Sequence, residues 1–341
     1  MPGVNDPRFV GRGRVLVFQP RPGMGDLIWH LPVIRAVAAA SPSGRVTLLT
    51  KRSTQADALL EGDPAIERIV WFDRNPRFGA GLHDGPLGLA RLVATLRGCR
   101  ANTCVLLHHG ASLAATVWLA GIPNRYGYGF NRQDIWLNRG PRLRNTPAGQ
   151  AVQFGEAFDQ ATAFAQAAGL WPLPEPHVAL RLDWVGAAGS RLAGLPRPLA
   201  VLGIGAHGAD RQWGPDNFAA LARALRQTGV ATVLLACAEM EGELAGRIAA
   251  ACGDASVHQA VGWSLGEVAG TLAQADMFVG NDSGLLNLRA ALRRSAFGLF
   301  GASGPLRHST KLHAVIPPLG PRTGMAGITV AKVMEAIGRA G

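Results

Sequence analysis

Along this chain short apolar runs alternate with stretches whose apolar positions recur at helical spacing. Residues 14–19 read as a strand, and residues 26–40 follow with Leu27, Ile28, Leu31, Ile34 and Val37 on one helix face. Further strands are predicted over 45–50, 66–72, 102–107 and 125–129, with helices around 87–96 and 112–120. Residues 130–150, with Arg132, Arg139, Arg142 and Arg144, read as an irregular basic loop, and 153–168 as a helix. The pattern then breaks at Trp171–Pro176 and in the Gly/Pro-rich stretch 186–198. It restarts with strands over 199–204, 231–236, 257–261, 277–279 and 297–300, separated by helices over 215–227, 241–251, 265–274 and 285–293. A last helix covers 328–339.

Strands alternating with helices imply parallel βαβ units. The expected organisation is an α/β chain of two Rossmann-like domains, 1–185 and 199–325, joined by a linker at 186–198. The helix within 326–341 is expected to cross back onto the first domain. In such folds ligands bind outside the carboxyl ends of the strands, here in a cleft between two facing sheets.

That expectation directs attention to the strand ends. Gly280-Asn281-Asp282-Ser283-Gly284 joins a buried strand to a helix, an arrangement that aims free N–H groups and the positive end of a helix dipole at an anion. The plainer role for Asp282 and Ser283 is helix capping. In the first half Pro20-Arg-Pro-Gly-Met-Gly25-Asp26 leads straight from the first strand into its helix. Asp26 is either an N-cap or a carboxylate placed to take a proton from a hydroxyl. Arg211, in the loop after the strand at 199–204, is either a solvated arginine or a bidentate clamp for a diphosphate. Glu241 opens a helix, where acids are common for dipole reasons, and it could also hold ribose hydroxyls.

Gly203-Ile-Gly-Ala-His-Gly208 matches G-x-G-x-x-G only formally, because no helix opens at its last glycine and the acidic residue expected about 20 positions later is missing. His108 and His109 end a strand and are expected on opposite faces, which rules out a shared metal. There is no D-x-D pair, no G-x-S-x-G elbow and no Walker loop.

Composition adds bounds. The chain has 341 residues, is 48% hydrophobic and carries a formal charge of +11. The basic residues are almost all arginine, the lysines being Lys51, Lys311 and Lys332. No block of like charge suggests a nucleic-acid tail, whereas a diffuse basic surface suits anionic substrates or an anionic membrane. Cys99, Cys104, Cys237 and Cys252 have no metal-type spacing and read as reduced, packed thiols, so a cytoplasmic location is expected. The first residues lack the apolar core of a signal peptide, and no run is long enough to span a bilayer.

Taken together, these motifs resemble glycosyltransferase family 9, which contains the ADP-heptose:lipopolysaccharide heptosyltransferases and has the GT-B fold. The resemblance runs from about Val15 to Phe300. It rests on Gly25-Asp26 with Pro32 six residues on, Ser41-Pro42, Asp63-Pro64, Pro123-Asn-Arg-Tyr-Gly127, Arg211-Gln-Trp213, Gly280-Asn-Asp-Ser-Gly284 and Leu299-Phe-Gly301. The resemblance implies an inverting, metal-independent transfer of a sugar from a nucleotide diphosphate, with no cofactor. Asp26, preceded by Gly25 on the acceptor side, would be the general base. Arg211 would neutralise the leaving diphosphate, Asp282, Ser283 and Gly284 would cradle donor oxygens, and Glu241 would touch the ribose. The acceptor would be a lipopolysaccharide core or related glycolipid or oligosaccharide at the inner face of a membrane. Asn287 stands where the family has a histidine on the donor-binding helix. A non-catalytic nucleotide-sugar binder, a GT-B-fold sugar-nucleotide epimerase and, more remotely, an NAD enzyme are the competing readings.

Overall fold

The computed structural model describes residues 8–75, 81–153 and 155–340. They form two compact units, divided between Pro176 and His177.

The first unit runs β1 (Val15–Phe18), α1 (Met24–Ala39), β2 (Val46–Thr50), α2 (Ala56–Leu59), β3 (Ile66–Trp71), α3 (Gly85–Gly98), β4 (Thr103–Leu106), α4 (Ala111–Leu119) and β5 (Asn124–Gly127). Short 3-10 turns and two helices, α5 (Pro147–Val152) and α6 (Ala157–Ala167), complete it. Its five strands are parallel, in the order β3-β2-β1-β4-β5. Every residue of β1 and β4 is buried, as it must be where helices cover both faces of a parallel sheet. The chain leaves β1 for β2 on one side and later returns to β4 on the other. The order therefore reverses between β1 and β4.

The second unit opens with α7 (Leu182–Leu192) and continues β6 (Leu199–Gly203), α8 (Pro215–Gln227), β7 (Thr232–Cys237), α9 (Gly242–Cys252), β8 (Val257–Val261) and α10 (Leu265–Gln274). It then runs β9 (Met277–Asn281), α11 (Gly284–Ala291), β10 (Ala296–Leu299), β11 (Leu312–Val315) and α12 (Val330–Ala340). The six parallel strands are ordered β11-β10-β9-β6-β7-β8, with the reversal between β6 and β9. Local chemistry sets the helix boundaries. Pro215 starts α8 at a position where a missing N–H costs nothing. Ser264 and Glu267 close a reciprocal capping box on α10, the serine N–H donating to the glutamate at 2.8 Å. The core of this unit packs Phe218, Leu221 and Leu225 of α8 against Leu202, Leu235 and Val279 of the sheet.

The α/β, GT-B class expected from the sequence is borne out by these two Rossmann-like parallel sheets. Three expectations differ from what is observed. The stretch 186–198 is no linker over most of its length, because Leu182–Leu192 is a helix packed on α10. Glycines make that contact possible on the α10 side: a Cβ on Gly270 would lie 2.0 Å from the carbonyl oxygen of Trp184. The terminal helix, expected to cross to the first domain, packs on α8, β10 and β11 of the second unit, with Val333 fully buried there. Strand β11 was not anticipated either. Leu312 and His313 are partly buried, Ala314 is exposed and only Val315 is buried, so no continuous apolar run announces it.

Candidate functional site

In each unit the sequence-predicted residues gather where the strand order reverses. In the first, Gly25 and Asp26 lie in the first turn of α1, directly after β1. The Asp26 carboxylate accepts a hydrogen bond from the Gly23 N–H at 3.2 Å and lies 3.8 Å from the Arg21 guanidinium. A Cβ on Gly23 would meet that carboxylate at 2.7 Å, so any larger residue there would displace it. The Asp26 side chain keeps 20% exposure and can still meet a ligand.

One turn further along α1, His30 is fully buried, and its Nδ1 lies 2.6 Å from the Asp26 carbonyl oxygen. A carbonyl only accepts, so Nδ1 carries the proton. Burial pushes the His30 pKa down to about 4, helped by the Arg21 charge and opposed by the Asp26 bond. The neutral ring leaves Nε2 as a buried acceptor without a partner. His108 and His109 lie beyond the end of β4 and are not splayed to opposite faces. Their rings stack at 4.6 Å with planes 16° apart, because the period-2 alternation of a strand no longer applies once the chain turns toward α4. The Gly110 N–H donates to His108 Nδ1 at 2.8 Å. Burial, then His109, Arg21 and His30, hold the His108 pKa down near 3. Burial thus keeps His30 and His108 neutral beside the Asp26 carboxylate at the reversal point of the first unit.

The second unit assembles a different set. Arg211 ends a 3-10 turn after β6, and its Nη1 donates to Asp282 Oδ2 at 3.1 Å. Asp282, 6% exposed, also accepts the Ser303 hydroxyl at 2.7 Å. This buried carboxylate is thus charge-paired and hydrogen-bonded, as burial demands. Asn281, fully buried at the end of β9, donates to the Ile204 carbonyl at 2.7 Å and accepts the Trp213 N–H at 3.2 Å. It fastens the Arg211 loop to β9. The Trp213 indole donates to the Ile328 carbonyl at 2.7 Å and anchors the other side of the loop.

Ser283 precedes α11 in the N-cap position but makes no capping bond, and its buried hydroxyl has no partner. The first N–H groups of α11, beginning at Gly284, are left without a side-chain cap. Asn287 turns back on the same helix, its Nδ2 donating to the Ser283 carbonyl at 2.8 Å. Glu241 follows β7, and its carboxylate accepts the N–H groups of Ala206 at 3.0 Å and Ala238 at 3.2 Å. A Cβ on Gly205 would lie 2.2 Å from that carboxylate. Glu241 is therefore held against the β6 and β7 loops by backbone donors. Asn281 reads in the sequence only as part of the Gly280–Gly284 turn, with no role of its own, and Ser303 is not singled out there. A polar residue closing an apolar strand was the available signal for Asn281, whereas nothing local marks Ser303. Among the described residues no three His, Cys, Asp or Glu side chains converge as metal ligands would.

The sequence pattern of glycosyltransferase family 9 (heptosyltransferase) matches residues 89–328. No curated protein sequence gives a significant match. The structure is similar to that of E. coli ADP-heptose lipopolysaccharide heptosyltransferase II, with a TM-score of 0.73 and 21% identity over 96% of this chain and 98% of that one. E. coli heptosyltransferase WaaC with ADP-2-deoxy-2-fluoro heptose gives 0.71 and 21%, covering 96% of this chain and 100% of that one. UDP-GlcNAc 2-epimerase from Methanocaldococcus jannaschii shares the fold more loosely, at 0.57 and 9% identity over 96% of this chain and 92% of that one.

Proposed function

Since the chain belongs to glycosyltransferase family 9, we propose that this glycosyltransferase moves heptose from ADP-heptose onto a lipopolysaccharide core or related surface glycan, with inversion and without a metal. The observation that carries this reading is the buried, unbonded Ser283 hydroxyl at the uncapped start of α11, next to the Arg211–Asp282 pair. An ordinary cap would have used that hydroxyl. Left open, it fits an oxygen of a diphosphate.

In the proposed reaction the acceptor hydroxyl oxygen attacks the anomeric carbon on the face opposite the diphosphate. Asp26 takes the hydroxyl proton, the bond from carbon to diphosphate oxygen breaks, and the configuration inverts. Negative charge grows on the leaving diphosphate, and it meets Arg211, the Ser283 hydroxyl and the N–H groups opening α11. Asp282 fixes the guanidinium with one of its five donors and leaves others for phosphate. Its own charge would repel the ligand, and the Ser303 hydroxyl bond offsets part of that. Glu241 stands after the neighbouring strand as the proposed ribose contact. The likeness to nucleotide-sugar enzymes and the net charge of +11 both suit an anionic donor and an acceptor at an anionic membrane surface, on its cytoplasmic side.

The test is incubation of the purified chain with ADP-heptose and with UDP- and dTDP-sugars, each with and without acceptor. Release of ADP only when acceptor is present supports the reading. Interconversion of the free sugar nucleotide would instead establish an epimerase. One observation favours a second reading, a homologue with altered donor use. Asn287, in place of the family's histidine, brings no positive charge and directs Nδ2 to the Ser283 carbonyl. Donor consumption with a UDP- or dTDP-sugar but not with ADP-heptose would support it.

A further inference from the structure

At the opposite edge of the second sheet, by the amino ends of β6, β9 and β10, lies a pocket of about 530 Å³. Its lining includes Arg197, Arg289, Arg293 and Arg294, with Asp276 as the one carboxylate. Asp276 is already engaged by the Arg197 guanidinium at 2.9 Å and the Leu199 N–H at 2.7 Å. Arg293 and Arg294 make no ion pair among the described residues. Arg289 is 3% exposed and donates to the backbone carbonyls of Leu272, Ala275 and Ser295. Carbonyls take three of its five N–H groups, and Asp276 offsets its charge only in part. Burial and then the Arg294 charge pull its pKa down to about 10.

Backbone geometry adds an independent observation. Arg294 N–H bonds the Arg289 carbonyl and Arg293 N–H bonds the Ala290 carbonyl, the two bonds of a Schellman motif closing α11. Arg293 occupies its left-handed position, with φ at 58°. Glycine suits that position, and a side chain there is strained. An arginine kept where glycine would relax the turn, beside two further unneutralised arginines, points to a ligand rather than to stability. We propose that this pocket binds a phosphate-bearing anion, with Arg293 and Arg294 as its contacts and Arg197 and Arg289 supplying the surrounding field. The shared chemistry is a phosphate group, whether on a soluble phosphate or on a lipid headgroup. Such a site lies at the far end of the helix whose start carries Ser283 and Gly284. Eight residues of α11 separate the two by about 12 Å.

Thermal unfolding of the full chain is measured with inorganic phosphate and with pyrophosphate, against chloride at matched ionic strength. Co-flotation with phosphatidylglycerol vesicles is measured in parallel. The wild-type chain should show a saturable rise in Tm of roughly 2–5 °C, or vesicle binding, or both. The response that remains in Arg211→Ala, where the proposed diphosphate clamp is removed, should be lost when Arg293→Gly/Arg294→Ala is added. Arg293→Gly alone should raise the ligand-free Tm by roughly 2–4 °C as the strained turn relaxes. Response to pyrophosphate without vesicle binding identifies a soluble ligand, and the reverse identifies a headgroup. A response undiminished when Arg293→Gly/Arg294→Ala is added to Arg211→Ala, no response of either kind in the wild type, or a ligand-free Tm that falls in Arg293→Gly would each overturn the proposal.

Discussion

Both units reverse their strand order beside the first strand, yet the two reversal points carry opposite chemistry. After β1 and β4 stand a partly exposed carboxylate and three histidines, two of which burial keeps neutral to acid pH. After β6 and β9 stand a guanidinium, a buried carboxylate that positions it, and a buried, unpartnered hydroxyl at a helix start. The first set suits handling of a proton and the second suits handling of negative charge. The same backbone plan thus supplies two locations, and a few residues in the following loops decide what each can do. A transferase that needs both a base and a diphosphate clamp can divide them between its halves.

That division can be broken from either side. Removing the proposed base should have the largest effect. Asp26→Asn is expected to lower kcat by about 10²–10⁴-fold with donor affinity nearly unchanged, measured by nucleotide release and by donor binding. An unchanged kcat would take Asp26 out of the reaction. Arg211→Ala should lower kcat/KM by about 10²–10³-fold and weaken donor binding as well. Circular dichroism is needed alongside, since the change leaves Asp282 buried with one partner fewer.

The pH response should follow the first unit. His30 has its folded pKa lowered from 6.5 to about 4. Above pH 6.5 both the folded and unfolded chains hold it neutral, and its burial costs nothing. As pH falls from 6.5 toward 4 the unfolded chain takes up the proton first, so stability drops by up to about 3 kcal/mol. Urea unfolding of the wild type and His30→Gln across that window should show the loss in the first and a shallower decline in the second. Parallel curves would remove His30 as the cause. Ser283→Ala should have the smallest effect, about 3–10-fold in donor KM for one lost hydrogen bond, with little change in Tm because the hydroxyl has no partner to lose. A large fall in Tm would mean that the hydroxyl caps the helix in solution.

Much of this layout was legible in the residues. Helices such as 215–227 and 265–274 coincide with their observed bounds because amphipathic helices leave a strong periodic signature, and the partly buried edge strand 257–261 coincides as well. Asp26, Arg211 and the Asp282–Gly284 turn could be singled out because each follows a predicted strand. What escaped depended on contacts distant in sequence. The glycines around α7 looked like a linker, whereas it is Gly266 and Gly270 on α10 that admit Trp184 closely. Ser303 becomes meaningful only once Asp282, 21 positions earlier, is seen to accept its hydroxyl. The stacking of His108 on His109 followed from where β4 ends, a boundary that a run of buried residues through Leu107 concealed.

The bond from the Trp213 indole to the Ile328 carbonyl joins residues 115 positions apart. During synthesis the chain emerges from its amino end, so the first unit, complete by Pro176, can close while the rest is still being made. The arginine loop cannot be braced in the same way until residue 328 has left the ribosome. The brace on the Arg211 loop would therefore form only after residue 328 is made, and a chain cut before that residue would carry the proposed base without a braced clamp.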